Sequence, residues 1–244
     1  MIAQIRAELL KIRSTRTTLG LMLGTIALVV ALTLLTGLLQ GARPLAEAEN
    51  QRQLLGLGTV AGLFAAIAGI LVVTSEYRFG TIRPTFLVTP SWRRILGAKL
   101  AASVISGIVF GIVGMALSYA IGYICLSQRG VPHALGSGDI ALLLAGSVLG
   151  AGLFAGIGLG LGTLVRNQIA SVIALLAWSF VLETLLFALL PAVGRFGPGE
   201  GQSALIGSSA DHLLSPLPGG LVLLAWMLGL TAAGLLWTSR RDVA

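Results

Sequence analysis

The sequence holds few groups that could do chemistry: 9 carboxylates, 2 histidines, 1 cysteine and two lysines. The lysines are Lys11 and Lys99, and neither follows a glycine, so the chain has no G-x-x-x-x-G-K-[ST] phosphate loop. Any ATP used with this chain must be bound by another polypeptide. The run Gly156-Ile157-Gly158-Leu159-Gly160-Leu161-Gly162 fails as a dinucleotide-binding turn. Leu161 stands where the third glycine is needed, and the run lies inside an apolar stretch. His133 and His212 fall in expected outer loops with no second ligand at helical spacing, and read as solvated loop histidines. Cys125 sits alone in an apolar run, which excludes a disulfide framework and a metal quartet. Intramembrane proteolysis would need a serine and a histidine within spans, and both histidines are outside them. No cofactor or metal is expected on this chain.

The elements that must position these groups are membrane helices. Only 10% of the residues are charged and 56% are hydrophobic, with a mean hydropathy of +0.95. A soluble domain carries about 25% charged residues, so a water-soluble enzyme and a disordered chain are both excluded. The net charge of +7 is spread between apolar runs instead of forming a basic face, so nucleic acid is not an expected partner. Six runs approach the roughly 20 apolar residues that span a bilayer: about Leu19–Leu39, Leu54–Thr74, Lys99 to Arg129, Asp139 to Arg166, Ile169–Leu190 and Leu217–Thr238. They do not alternate like barrel strands, and the expected class is all-α, a single six-span domain over 1–244. With both termini inside, 12 of the 16 basic residues fall in inner segments and only Arg43, Arg52, Arg129 and Arg195 outside. The first run is too long for a signal-peptide core.

Residues 1–17 are expected as an interfacial helix, with Ile2, Ile5, Leu9 and Ile12 on one face and Gln4, Glu8 and Lys11 to one side. The alternative is a basic tail that only sets topology. Gly152, Gly156 and Gly160 recur every fourth residue, as do Gly114, Ser118 and Gly122, which suits close helix packing. Glu183 is the one ionisable group well inside a span, about 21 Å from its inner end, and an intramembrane carboxylate is a functional candidate by default. It could face a substrate pathway, bond across a helix pair, or sit protonated near the outer interface. Residues 191–216, rich in glycine and proline, are expected to dip back against the outer leaflet.

The segment 75–98 joins spans two and three and mixes charges with Tyr77, Phe79, Phe86 and Trp92. Such residues anchor protein contacts, and would equally anchor a loop in lipid. Here the chain resembles the permease subunits of type-2 ABC transporters. The likeness rests on Glu76, Gly80-Thr81, Pro90 and Lys99, on the start Glu8-Leu9-Leu10-Lys11-Ile12-Arg13, and on the turn Arg166-Asn167-Gln168. It extends to Gly194-Arg195-Phe196-Gly197-Pro198 and Leu214-Ser215-Pro216, and so covers essentially the whole chain.

The resemblance implies a multi-pass subunit of a bacterial inner membrane, paired with a second copy or a sister permease on two ATPase subunits that hold ATP and Mg. A coupling segment with Glu76, Tyr77, Arg78, Phe79, Gly80 and Thr81 would seat in the ATPase, and residues 191–216 would form re-entrant helices. A cavity lined by spans two and five would export an amphiphilic drug, antibiotic or lipid. The alternatives are an ATP-independent secondary transporter, which would favour inverted repeats and several intramembrane charges, and a membrane scaffold for a cytosolic partner.

Overall fold

The computed structural model describes residues 1–81, 91–209 and 213–239. Its described elements are helical, and six are long and apolar enough to cross a membrane. A short helix α1 (Ile2–Ser14) precedes the first span, α2 (Arg16–Leu39). Helix α3 (Ala42–Leu45) then leads to α4 (Ala48–Leu55), a 3-10 turn (Gly56–Val60) and α5 (Ala61–Arg78), which together make the second span. The third and fourth spans are α6 (Trp92–Gln128) and α7 (Ser137–Val165). The fifth is α8 (Gln168–Ala177), a π-helical turn (Trp178–Leu182) and α9 (Glu183–Leu189). Two short helices, α10 (Pro191–Gly194) and α11 (Pro198–Leu205), precede the sixth span, α12 (Pro216–Ser239).

The architecture is therefore all-α and polytopic, with a short N-terminal helix, as the apolar runs require. One boundary differs. Helix α6 starts at Trp92 instead of near Lys99, and α5 runs through Arg78, so most of the described part of 75–98 is helix. The reason is that Arg93, Arg94 and Lys99 are good helix formers, with Arg93 and Arg94 exposed at the helix end and Lys99 buried against carboxylates. Phe86 and Pro90 lie outside the described residues, as does His212.

The core forms where small residues let backbones meet. Added to Gly158, a Cβ would overlap the Ala66 carbonyl of α5, and at Gly69 it would overlap the Ala155 carbonyl of α7. On the opposite flank of α7, Gly160 faces Leu230 and Thr231 of α12 at 2.8 Å from such a Cβ. Gly152 and Gly156 meet Ile108 and Met227, so this stripe serves two neighbours, α6 and α12. The other stripe also packs: Gly114 meets Ala61, the Ser118 hydroxyl donates to the Leu55 carbonyl at 2.9 Å, and Gly122 meets Leu55. Helices α5 and α7 form the buried centre, while α2, the fifth span and α12 are mostly uncovered. Contacts of Lys11 with Glu76, Arg78 with Gln168 and Arg166 with Thr238 place α1 and the end of α12 at one end of the bundle.

Candidate functional site

Four charged side chains meet at that end. Glu8 and Lys11 lie one turn apart on α1, Glu76 is in the last turns of α5, and Lys99 is two turns into α6. The Lys99 ammonium donates to Glu8 Oε2 at 2.9 Å and to Glu76 Oε1 at 2.7 Å, with the Val72 carbonyl at 3.5 Å. Lys11 donates to Glu8 Oε1 at 2.9 Å and Glu76 Oε1 at 3.0 Å. Each lysine thus touches both carboxylates, and the four formal charges cancel. Lys99 is 1% exposed, Glu76 6% and Glu8 8%. Burying such charges is costly unless each is paired, and the alternation supplies the pairing. Glu76 Oε2 is buried with no hydrogen-bond partner among the described residues.

Burial pushes the Glu8 carboxyl upward, but Lys99 and Lys11 outweigh it and hold the group below the usual carboxylate range. For Lys11 burial acts downward, and bonds to Glu8 and Glu76 leave the ammonium above its ordinary range. The face of α1 turned to the bundle is therefore mixed, with Ile12 buried beside Glu8 while Ile2 and Leu10 are exposed.

The six expected coupling residues divide. Glu76 is buried and Tyr77 half-buried, with the Arg166 guanidinium 5.4 Å from its ring. Arg78, Phe79, Gly80 and Thr81 are exposed, Phe79 by 71%. Helix α5 stops where Gly80 takes a φ of 68° and the Thr81 amide donates to the Glu76 carbonyl at 3.0 Å, the left-handed glycine stop that a side chain would strain. Arg78 reaches Gln168 at 3.4 Å, and Arg166 donates to the Thr238 hydroxyl at 2.9 Å, so spans two, four, five and six are tied at this end.

Glu183 lies at the opposite end, 4% exposed. Its Oε1 accepts from the backbone amides of Gly199 at 2.6 Å and Glu200 at 3.1 Å, in the first turn of α11. The carboxylate thus caps a helix from another element and satisfies donors that would otherwise be orphaned. Gly197 and Gly199 leave room for it, since a Cβ at Gly199 would stand 3.1 Å from Oε1. The π-helical turn before Glu183 adds a residue and shifts the face it presents. Around it, Trp226 donates to the Phe196 carbonyl at 2.8 Å, and Gln202 reaches the Gly146 carbonyl at 3.5 Å. Gly146 is about 14 Å along α7 from Ser137, so α10 and α11 fold back along the spans, and both are helical despite their glycines.

Of the remaining candidates, His133 stacks on Tyr123 with ring centroids 4.7 Å apart. Among the described residues no group of three His, Cys, Asp or Glu could hold a metal ion. Sequence reasoning missed the joint role of Glu8, Lys11 and Lys99, because Lys99 meets Glu8 across 91 residues and Glu76 across 23, beyond any local pattern. No protein-family model matches the chain, and no curated protein matches it.

Proposed function

We propose that this chain is the membrane-spanning permease subunit of an ATP-driven ABC exporter, moving an amphiphilic drug, antibiotic or lipid outward by alternating access. The observation that carries the reading is the buried Glu8–Lys99–Glu76–Lys11 cluster beside the exposed Arg78–Thr81 patch. A partner pressing on that patch would move the end of α5, and the cluster would pass the motion to α1 and α6 as one unit. A separate ATPase, in two copies holding ATP and Mg, is that partner, and a second permease copy or a sister permease completes the pathway. The basic residues at the α1 end support N- and C-termini in the cytoplasm of a bacterial cell. The chain itself performs no covalent chemistry in this reading.

The test is purification of the full chain from its native membrane, with identification of the chains that accompany it, and dye efflux from intact cells that produce it. The expected result is an accompanying polypeptide with a Walker motif and efflux that stops on ATP depletion. Efflux that survives ATP depletion and collapses with an ionophore would support the secondary-transporter reading instead.

A further inference from the structure

A cavity of about 820 Å³ opens between α1, the first turn of α2, the end of α5 and the start of α6. We propose that it binds the phosphate-bearing headgroup of a membrane lipid from the leaflet on the α1 side. The lining has two characters. Ala68, Leu71, Val72 and Ile95 make an apolar wall along the spans, while Lys11, Arg78, Thr15, Thr18 and Ser75 contribute polar groups nearer the α1 end. An apolar wall continuous with a polar end matches a molecule with an acyl chain and a headgroup, and the volume is that of a small-molecule site.

The charge favours an anion. Glu8, Glu76, Lys11 and Lys99 cancel one another, which leaves Arg78 as the uncompensated charge among the lining residues. The Lys11 side chain is 54% exposed and commits two of its three N–H groups to carboxylates, so a third remains for an oxygen. The carboxylates do not repel such a ligand strongly, because lysines occupy Glu8 Oε1 and Oε2 and Glu76 Oε1, and Glu76 Oε2 is shut away from solvent. The Thr15 hydroxyl donates to the Ile12 carbonyl at 2.9 Å and accepts from Thr18 at 2.9 Å, so these side chains make the rim polar while the free donors come from Lys11 and Arg78. Ile2 and Leu10, exposed on α1 by 70% and 68%, suit a helix lying among lipids, which makes the bilayer the source of the occupant. This inference concerns the isolated chain and does not depend on an ATPase.

The experiment is native mass spectrometry of the detergent-released full chain titrated with dioleoyl phosphatidylglycerol, with dioleoylglycerol and inorganic phosphate as parallel probes. Arg78→Gln changes an exposed side chain, and Leu71→Trp fills the apolar wall. Retention of phosphatidylglycerol is expected to fall about tenfold in Arg78→Gln, as for loss of one charged hydrogen bond, and further in Leu71→Trp. Dioleoylglycerol is expected to bind more weakly than phosphatidylglycerol, and phosphate at the same concentration not to displace the lipid. Equal retention in the wild type and both variants overturns the proposal. So does equal binding of dioleoylglycerol, which would mean an apolar groove only, or displacement by phosphate, which would mean an aqueous anion site. A circular dichroism melt confirms that the variants compared are folded.

Discussion

The Lys99 ammonium lies 2.7 Å from Glu76 Oε1, although the two residues belong to different spans and both are buried. The contact is one side of a closed ring with Glu8 and Lys11, so its worth depends on all four charges. Removing one partner from a buried ion pair commonly costs about 3–5 kcal/mol, because it strands the other charge. Lys99→Met is therefore expected to lower the melting temperature sharply, since two carboxylates lose their buried partner. Adding Glu8→Gln and Glu76→Gln should restore much of the loss. A melt series in detergent checks this, and non-recovery in the triple variant would mean that packing around Lys99, rather than charge pairing, carries the stability.

The same ring gives α1 a pH window. The Glu8 carboxyl is depressed, so its contribution is present above its unfolded pKa and is lost as pH falls through the lower folded value. Lys11 is raised, so its contribution is present below its unfolded pKa and is lost as pH rises through the higher folded value. Helix α1 should stay docked at neutral pH and loosen below the usual carboxylate range and above the usual lysine range. Spin labels at the exposed positions Arg6 and Arg93 would report this as a broadened distance distribution at both extremes. A distribution constant across the range would exclude the linkage.

Much of this arrangement was legible in the sequence, and the parts that were not have a common cause. Apolar run length located all six spans, and four-residue spacing of Gly152, Gly156 and Gly160 located a packing stripe, because both signals are local. The Glu8–Lys99 contact joins residues 91 apart in sequence, and no local pattern encodes it. For Glu183, position in a span gave three possible roles. Which one holds depended on where α11 begins, and the first turn of that helix meets the carboxylate only after the chain folds back.

Glu183 is expected to act as a cap for the re-entrant segment. Glu183→Leu would leave the Gly199 and Glu200 amides without their acceptor, at a cost of about 2 kcal/mol or more at a buried helix start. Glu183→Gln keeps one carbonyl acceptor and should be milder. A cysteine at Ser203, half-buried in the folded protein, should react faster with a thiol reagent in Glu183→Leu than in Glu183→Gln, in a background lacking Cys125. Equal rates would show that the hairpin is held by Trp226 and Gln202 without the carboxylate.

The glycine stripe predicts a position-dependent penalty. Gly158→Ala would drive a methyl group into the Ala66 carbonyl, which is backbone and cannot rotate aside, whereas Gly97→Ala meets nothing within 4 Å on α6. The first should reduce folded yield and thermal stability by at least 1–3 kcal/mol, in the usual range of overpacking. The second should be neutral or gain up to about 1 kcal/mol of helix propensity. Size-exclusion yield and melting temperature for the pair decide the matter, and similar values for both would mean that α5 and α7 can separate without loss.

The division of residues 76–81, the proposed coupling segment, into buried and exposed side chains sharpens the test of ATPase docking. Glu76→Arg would add a third cation to a ring whose carboxylates are already buried, so a loss of assembly in that variant would report collapse of the cluster and say nothing of a surface. Phe79 is different. It is 71% exposed, and its ring carries the Arg78 guanidinium at 5.5 Å from the centroid, an aromatic and arginine pair of the kind that anchors interfaces. Phe79→Ala is expected to leave the melting temperature of the isolated chain unchanged while weakening ATPase association by roughly 30-fold, the equivalent of about 2 kcal/mol. Arg43→Ala at the far end of the bundle serves as the control. If Phe79→Ala instead lowers stability in lipid and leaves pull-down and transport intact, the ring is a membrane anchor and the coupling site lies elsewhere.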